Sequence, residues 1–215
     1  AVRELAASAK VAYVSPDRPI TMSGHLETTT GASQVRSLVA NSKLDGTGVG
    51  IAIIDSGIDS NHLLLSQYTG HPAVKDVPSF VAGTNSAVDY YGHGSFVASI
   101  AGGGIQIGSG YYSGIAPGAS IYSLRVLDDQ GHGSSSAVIA ALNWCVANKA
   151  SLNLKVVNLS LGARARDSYL TDPLCIAARQ AVAAGIVVVA AAGNDGKDAF
   201  GNKVYGGIHS PGIDP

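Results

Sequence analysis

The alternation of short apolar runs with helical segments is the feature that most constrains what this chain can fold into. Strands are predicted at residues 49–54, 121–126, 156–159 and 186–190, with a weaker one near residues 77–80. Strands that are apolar over their whole length are typical of a parallel sheet covered on both faces. Helices are predicted between them, beginning at His93 and over residues 134–148 and 173–184. The alternation predicts an α/β fold, a doubly wound and mostly parallel sheet with helices on both faces.

Composition excludes several classes of function. The chain has 215 residues, of which 46% are hydrophobic and 13% are charged, with 27 glycines, and this profile suits a compact domain with tight loops. The formal net charge is −1, so neither nucleic acid nor an acidic membrane surface is indicated as a partner. The apolar stretch at 186–193 is far too short to cross a bilayer, so no membrane association is expected.

The two cysteines, Cys145 and Cys175, fall on two of the predicted helices. Two cysteines are too few for a disulfide scaffold or a thiolate zinc site. We interpret them as small buried residues. A disulfide between them stays open, since right-handed crossovers could place the two helices side by side, and such a bond would indicate an oxidising compartment.

Three polar residues stand at strand ends or at a helix start, in glycine-rich surroundings. Asp55 comes directly after the strand at 49–54, His93 lies between two glycines, and Asn194 follows the last predicted strand. In doubly wound sheets, functional groups gather at the carboxyl ends of the strands. Acyl transfer requires a buried carboxylate that orients a histidine base, and a separate amide donor for the oxyanion. Taken singly, each residue has an ordinary interpretation as a turn, cap or loop residue.

Taken together, four sequence blocks resemble the subtilase family of serine peptidases. They are Asp55-Ser56-Gly57-Ile58, Gly92-His93-Gly94-Ser95, the block at 157–162 and the block at 188–194. The aspartate precedes the histidine, as it does in that family. The resemblance runs from about residue 45 to residue 215. It implies a secreted or extracytoplasmic serine endopeptidase that acts on peptide or protein substrates.

The resemblance also implies roles for individual residues. Asp55 would orient the base, His93 would be that base, and Asn194 would donate a hydrogen bond to the oxyanion. Two segments would form the walls of the pocket for the residue before the scissile bond: Ser160, Leu161 and Gly162, and Ala191, Ala192 and Gly193. Gly131 and Gly133 would belong to an edge segment that pairs with extended substrate backbone.

The sequence differs from the family pattern at several positions. Phe96 stands where the family has a second histidine, which supports the site without taking part in the chemistry. Leu64 stands about where many members place a calcium-binding aspartate, and the glycine-rich loop at 102–112 lacks carboxylates. Because calcium needs oxygen ligands, the chain is expected to lack the family's calcium site, and no metal or other cofactor is predicted.

The largest departure concerns the nucleophile. The family's serine lies in a Gly-Thr-Ser-Met-Ala-type block well beyond the oxyanion asparagine, and the sequence contains no such block. We therefore expect a peptidase domain that is incomplete at its C-terminus, with the serine outside this chain. The chain alone is then expected to be inactive and poorly stable, or to be held by a second fragment of the same protein. Ser160 is the alternative nucleophile, but its order after the acid and the histidine is wrong for an α/β-hydrolase.

The N-terminal part is predicted to be separate from the peptidase domain. Residues 11–17 resemble the last strand of the family's inhibitory propeptide, and residues 21–34 are rich in Thr, Ser and Gly without a clear period. We therefore divide the chain into a propeptide tail at 1–22, a linker and first helix at 23–44, and the peptidase domain at 45–215. The protein's own propeptide would be one of its partners, released by self-cleavage.

Two other functions compete with this interpretation. Residues 46–50 are glycine-rich like a dinucleotide-binding loop, but such a loop must follow its strand, whereas these glycines precede one. A catalytically inactive binding module on the subtilase fold is the second alternative, because fold does not fix function. The presence of Asp55, His93 and Asn194 favours the peptidase, since a binding module does not need all three.

Overall fold

The apolar runs of the sequence form a five-stranded sheet. The computed structural model describes residues 25–38, 44–65, 74–107 and 110–215. The strands in these ranges are β1 Gly50–Asp55, β2 Lys75–Asp76, β3 Gly104–Ile107, β4 Gly110–Ser113, β5 Ser120–Arg125, β6 Leu154–Leu159, β7 Ala163–Arg164, β8 Val187–Ala190 and β9 His209–Ser210. The helices are α1 His25–Thr30, α2 Ala32–Leu38, α3 His93–Gly102, α4 Ser135–Asn148 and α5 Pro173–Ala183.

The central sheet has the strand order β2–β5–β1–β6–β8, and every neighbouring pair is parallel. From β1 the chain moves to one edge at β2, returns to β5 beside β1, and then crosses to β6 and β8 on the other side. The strand order therefore reverses at β1. Asp55, the last residue of β1, lies at this switch point, where open α/β sheets bind their ligands.

Helices cover both faces of the sheet. Ala52 and Ile54 belong to an apolar cluster that includes α4 and α5, whereas Ile51 and Ile53 belong to a second cluster that includes α3. This alternation follows from the two-residue period of a strand. All the residues of β1 are buried, which explains the unbroken apolar run in the sequence. The predicted α/β fold with a parallel, doubly wound sheet is confirmed.

Capping residues explain where the two long helices begin. The hydroxyl of Ser134 precedes α4 and accepts a hydrogen bond from the N–H of Ala137. The carboxylate of Asp172 precedes α5 and accepts from the N–H groups of Leu174 and Cys175. Such side chains satisfy N–H groups that the first turn of a helix leaves unpaired. Among the described residues, the structure has no helix that is both long and apolar enough to cross a membrane.

Two predicted segments of the domain differ from the structure. The weak strand predicted near residues 77–80 is wrong, because the strand at this edge is β2, Lys75–Asp76. The N–H groups of Val77 and Phe80 still donate to Ser123 and Arg125 of β5, at 3.1 and 2.9 Å, but the two donors are three residues apart and the two acceptors are two apart, so the ladder is irregular there. The glycine-rich segment at 102–112, interpreted as a loop, contains the antiparallel hairpin of β3 and β4.

The N-terminal region is helical where the structure describes it. The segment at 21–34, interpreted as a linker, carries α1 and the start of α2. Arg36 of α2 donates hydrogen bonds to the carbonyl oxygens of Gly114 and Ile115, at 3.0 and 2.7 Å. This contact ties α2 to the domain and supports a helix that is too short to be stable alone. The predicted propeptide tail at 1–22 lies outside the described residues and stays a prediction.

Both cysteines are buried and carry free thiols. Burial raises the pKa of Cys145 to about 12, so this thiol stays protonated and unreactive near neutral pH. The interpretation of Cys145 and Cys175 as small buried residues is confirmed, and the structure contains no bond between them.

Candidate active site

A carboxylate and an imidazole meet where β1 ends and α3 begins. Asp55 is the last residue of β1 and is fully buried. His93 is the first residue of α3, its side chain is 40% exposed, and its Nδ1 lies 2.8 Å from Oδ1 of Asp55. The two side chains are therefore in hydrogen-bond contact. Bonding through Nδ1 leaves Nε2 of the ring as the atom that can accept a proton.

Close approach of two backbone segments makes this contact possible. Gly94 follows His93 in the first turn of α3, and a Cβ there would lie 2.1 Å from the carbonyl oxygen of Gly57. The same Cβ would lie 3.2 Å from the Cβ of Asp55. Any side chain at position 94 would push α3, and His93 with it, away from the turn after β1.

Burial dominates the electrostatics of Asp55. Removal from water raises the pKa of its carboxyl group, and hydrogen bonds with His93 and the N–H of Ser56 partly offset that rise. Its Oδ2 is buried and has no hydrogen-bond partner among the residues that the structure describes. A carboxylate in this environment gains strongly from a positive charge beside it.

Asp89, four residues before His93, is hydrogen-bonded both to the turn after Asp55 and to the start of the helix that carries His93. Its Oδ1 accepts hydrogen bonds from the Ser56 hydroxyl at 2.8 Å and from the N–H of Gly92 at 2.7 Å. Its Oδ2 accepts from the N–H and the hydroxyl of Ser95, at 2.8 and 2.7 Å. One carboxylate thus holds the start of α3 against the turn that follows β1.

Asp89 was not predicted as a site residue. The N-cap of α3 is Gly92, and Asp89 stands three residues before it, outside the position that the capping rule describes. Its carboxylate reaches Ser95 only because the turn at residues 89–92 folds back on the helix start. The sequence around Asp89 therefore contains no standard signal for this role.

Asp89→Asn should lower the thermal stability of the protein in a pH-dependent way. Although burial alone raises the pKa of Asp89, hydrogen bonds from Ser95, Gly92 and Ser56 together hold it below its usual range. A carboxyl group with a lowered pKa stabilises the fold above its unfolded pKa of about 3.9, and this is lost as pH falls through the folded pKa. The loss in the variant should therefore be largest near neutral pH, about 1 kcal/mol, and should disappear in acid.

Asp59→Asn is the matched control for this prediction. Asp59 is a nearby carboxylate that accepts a hydrogen bond from the N–H of Asn61 at 3.0 Å. Its replacement should have a smaller effect on stability. Melting curves of the wild type and both variants over a series of pH values measure the difference. A loss in Asp89→Asn that is equal at every pH would show that the charge of Asp89 does not hold the helix start.

His93 lies at a cleft with a volume of about 520 Å³. Seven of the predicted site residues line it: His93, Gly131, Gly133, Ser160, Leu161, Gly162 and Asn194. Asp55 is buried next to His93 and is not part of the cleft surface. Ala191, Ala192 and Gly193 do not line the cleft either. The N–H of Ala191 donates to the carbonyl of Leu159, so the two predicted wall segments begin side by side, after β6 and β8.

Of the three serines that line the cleft, Ser134, Ser135 and Ser160, two have hydroxyls that are engaged in other contacts. The Ser160 hydroxyl accepts a hydrogen bond from the side-chain amide of Asn158 at 2.9 Å. The Ser134 hydroxyl caps α4. Within the described residues, none of these three serine hydroxyls is hydrogen-bonded to His93.

The described residues offer no evident metal centre. Across these ranges, no group of three or more His, Cys, Asp or Glu side chains is placed to hold an ion. The carbonyl of Leu64 accepts a hydrogen bond from the N–H of Gly104 at 2.7 Å, beside the β3–β4 hairpin. The expectation that the chain lacks a calcium site stays a prediction.

Comparison with known proteins shows what this arrangement is similar to. The model of the Subtilase family, peptidase S8, matches residues 46–211. Subtilisin E of Bacillus subtilis (strain 168) is 38% identical over 199 residues, 91% of this chain and 47% of that protein. Subtilisin J of Geobacillus stearothermophilus is 36% identical over 207 residues, 95% of this chain and 49% of that protein. The solved structure of an S41 psychrophilic protease matches with a TM-score of 0.62 at 34% identity, over 78% of this chain and 51% of that one. The chain spans about half the length of the curated relatives it matches.

Proposed function

Because the chain belongs to the subtilase family of serine peptidases, we propose that the protein containing it is an endopeptidase that hydrolyses peptide bonds in proteins or peptides. The observation that carries the proposal is the 2.8 Å contact between Asp55 and His93, beside a cleft that also contains Asn194. An oriented base and an oxyanion donor in one cleft are two of the three parts that acyl transfer requires.

In the proposed mechanism, His93 is the general base. Its Nε2 takes the proton of the attacking hydroxyl and later gives it to the leaving amine of the substrate. Asp55 holds Nδ1, which keeps the ring in the tautomer that leaves Nε2 free, and it stabilises the imidazolium. The side-chain amide of Asn194 donates to the oxygen that becomes negative in the tetrahedral intermediate. Gly131 and Gly133 lack side chains, so an extended substrate can approach the edge of the cleft closely.

We infer that the third part, the nucleophilic serine, lies outside residues 1–215. The engagement of Ser160 with Asn158 and of Ser134 with the start of α4 supports this inference. The family resemblance also places the serine on a segment beyond Asn194. The same resemblance, taken alone, leads us to propose an inhibitory propeptide at 1–22 and a secreted or extracytoplasmic location.

Two exposed valines on β8, Val187 and Val189, suggest that a further segment of the same protein packs on this strand. On β8, Val188 and Ala190 pack against the cluster of α4 and α5, whereas Val187 and Val189 are 61% and 50% exposed. Strand alternation places the latter two on the face that α3 covers at β1. Covering the two valine side chains would remove their apolar surface from water, which is favourable. We propose that a further segment of the same protein, continuous or as a second fragment, covers these two side chains.

Labelling with a fluorophosphonate tests the proposal against the alternative of a catalytically inactive binding module. The reagent reacts covalently with a serine that a neighbouring base activates. The complete protein should be labelled at one serine outside residues 1–215 and should cleave an unfolded protein substrate. A complete protein that is neither labelled nor hydrolytic would be the inactive module instead.

Asn194→Ala tests the proposed role of Asn194 as the oxyanion donor. Loss of the oxyanion donor should lower kcat by about 10²–10³-fold, because the donor acts mainly in the transition state. Asn61→Ala, at an exposed asparagine in the turn after β1, is the control and should leave kcat unchanged. Equal kcat values in the two variants would remove Asn194 from the mechanism.

A further inference from the structure

A buried arginine that the proposed mechanism does not use lies at the end of β5. Arg125 is the last residue of that strand and the partner of Asp55 in the parallel ladder with β1. Its side chain is 3% exposed. Its guanidinium donates to the carbonyl oxygens of Leu127 and Ser86, each at 3.1 Å, and to Oδ1 of Asp129. Arg125 therefore joins the segment that precedes α3 to the segment that follows β5.

The edge segment that follows β5, residues 127–133, is a tightly bonded loop. The N–H of Asp128 donates to the carbonyl of His132 at 2.7 Å, and Oδ1 of Asp128 accepts from the N–H of His132 at 2.9 Å. Leu127 and Gly133 form an antiparallel bridge at the two ends of the loop. Because these bonds are internal to the loop, they fix its shape. Its position in the domain depends on the contacts that the loop makes with other segments.

Arg125 is prominent among the contacts that place the edge segment. The carbonyl of Asp55 accepts from the N–H of Leu127 at 3.1 Å, and the ring of Tyr91 packs on Gly131, where a Cβ would lie 2.6 Å from it. Arg125 adds a rigid fork of donors that bonds the edge segment and the segment before α3 at the same time. Both segments contribute to the lining of the cleft. The width of the cleft at this point therefore depends on Arg125.

Stability alone is a poor explanation for this arginine. Removal of a guanidinium from water costs free energy that hydrogen bonds at best offset. Its charged partner, Asp129, is 62% exposed, and ion pairs with an exposed partner contribute little. The ring of Tyr90, whose centroid lies 5.9 Å from the guanidinium carbon, adds a modest attraction. An apolar side chain of similar volume would serve the fold about as well. What an apolar side chain cannot do is bond two segments at once.

Resting on the proposed function, we propose that Arg125 is a positioning residue for substrate binding. It holds the edge segment at the distance from His93 at which an extended substrate backbone pairs with Gly131 and Gly133. Pairing along an edge requires donors and acceptors of both chains to face each other, so a displaced segment loses it. A peptide with several residues before the scissile bond uses this pairing, whereas a peptide with one residue there does not reach the segment. Arg125 thus makes the protein favour long substrates over short ones.

Arg125→Met in the complete protein tests this inference. The measured quantity is the ratio of kcat/KM for two substrates with the same residue before the scissile bond, one with three further residues in front of it and one with none. The long-to-short ratio should fall by about tenfold, the factor expected when one or two backbone hydrogen bonds weaken. Most of the loss should appear in KM of the long substrate, because pairing with the edge segment exists both before and during the chemical step.

Asp129→Ala is a second variant that protects the test against misfolding of Arg125→Met, since Asp129 is mostly exposed. It removes one contact between the guanidinium and the edge segment, so the ratio should fall in the same direction by a smaller factor. Arg179→Met is the matched control. It removes another guanidinium–carboxylate pair, with Asp214 at 2.6 Å, from a place outside the lining of the cleft, and it should leave the ratio unchanged.

An unchanged ratio in Arg125→Met and Asp129→Ala, or an equal loss for the long and the short substrate, would overturn the assignment. A fall in Arg179→Met as large as that in Arg125→Met would overturn it as well, because the effect would then come from any lost ion pair. Failure of the proposed function has a different result. The wild-type protein would then cleave neither substrate, and the inference would fall with it.

Discussion

His93→Ala should lower kcat of the complete protein by about 10⁶-fold, the size of the loss for the triad histidine of subtilisin. Without the imidazole that Asp55 holds at 2.8 Å, no base reaches the attacking hydroxyl. Asp55→Asn should lower kcat by about 10⁴-fold, because an amide in place of the carboxylate leaves the ring in the wrong tautomer. Steady-state hydrolysis of a peptide at saturating concentration measures both losses.

His62→Ala is the matched control, since His62 is an exposed histidine in the turn after β1. It should leave kcat unchanged. The melting temperature of His93→Ala checks that the variant is folded, because the substitution also removes a hydrogen-bond partner of the buried Asp55 and should lower stability somewhat. Activity in His93→Ala equal to that of His62→Ala would refute the role of His93 as the base.

The 215-residue chain alone should hydrolyse no peptide, and a fluorophosphonate should label none of its residues. Absence of the serine lowers turnover by about 10⁶-fold even where the remaining fold is intact. Here the exposed side chains of Val187 and Val189 also predict low stability or self-association of the isolated chain. Mass spectrometry of the treated chain measures labelling, and light scattering measures association.

Ser160→Ala in the complete protein provides the comparison for this prediction. The hydroxyl of Ser160 is bonded to Asn158 and not to His93, so the variant should still be labelled. A labelled peptide from within residues 1–215 would show that the nucleophile has been misplaced. Loss of the label in Ser160→Ala would identify Ser160 as that nucleophile.

The long elements of the fold could be predicted from the sequence because their own residues determine them. Burial of a strand inside a parallel sheet requires a continuous apolar run, and β1 shows one. Ser134 and Asp172 mark the starts of α4 and α5 as helix caps. The two-residue strands β2, β7 and β9 could not be predicted, since their conformation depends on the strand beside them.

The same distinction applies to the site. Asp55 could be placed at the ligand-binding edge of the sheet from its position at a strand end, whereas His93 begins a helix and could be paired with it only through the resemblance of the two blocks to the subtilase family. The contact of His209 with Gly162 and Gly193 could not be predicted. It exists only because β9 returns between two segments that leave the sheet after different strands. Nothing in the residues around His209 encodes that return locally.

The strand order also determines when β1 can pair with its neighbours while the chain is being synthesised. β1 lies between β5 and β6, so its Gly50 pairs with Ser120 and its Ile51 pairs with Val156. These partners leave the ribosome long after β1, and closing such long loops slows folding further. At about 5–20 residues per second, β1 waits for its second neighbour for about 5 to 20 s. During that interval residues 51–54 form an exposed apolar segment of the kind that chaperones bind and that aggregates when they do not.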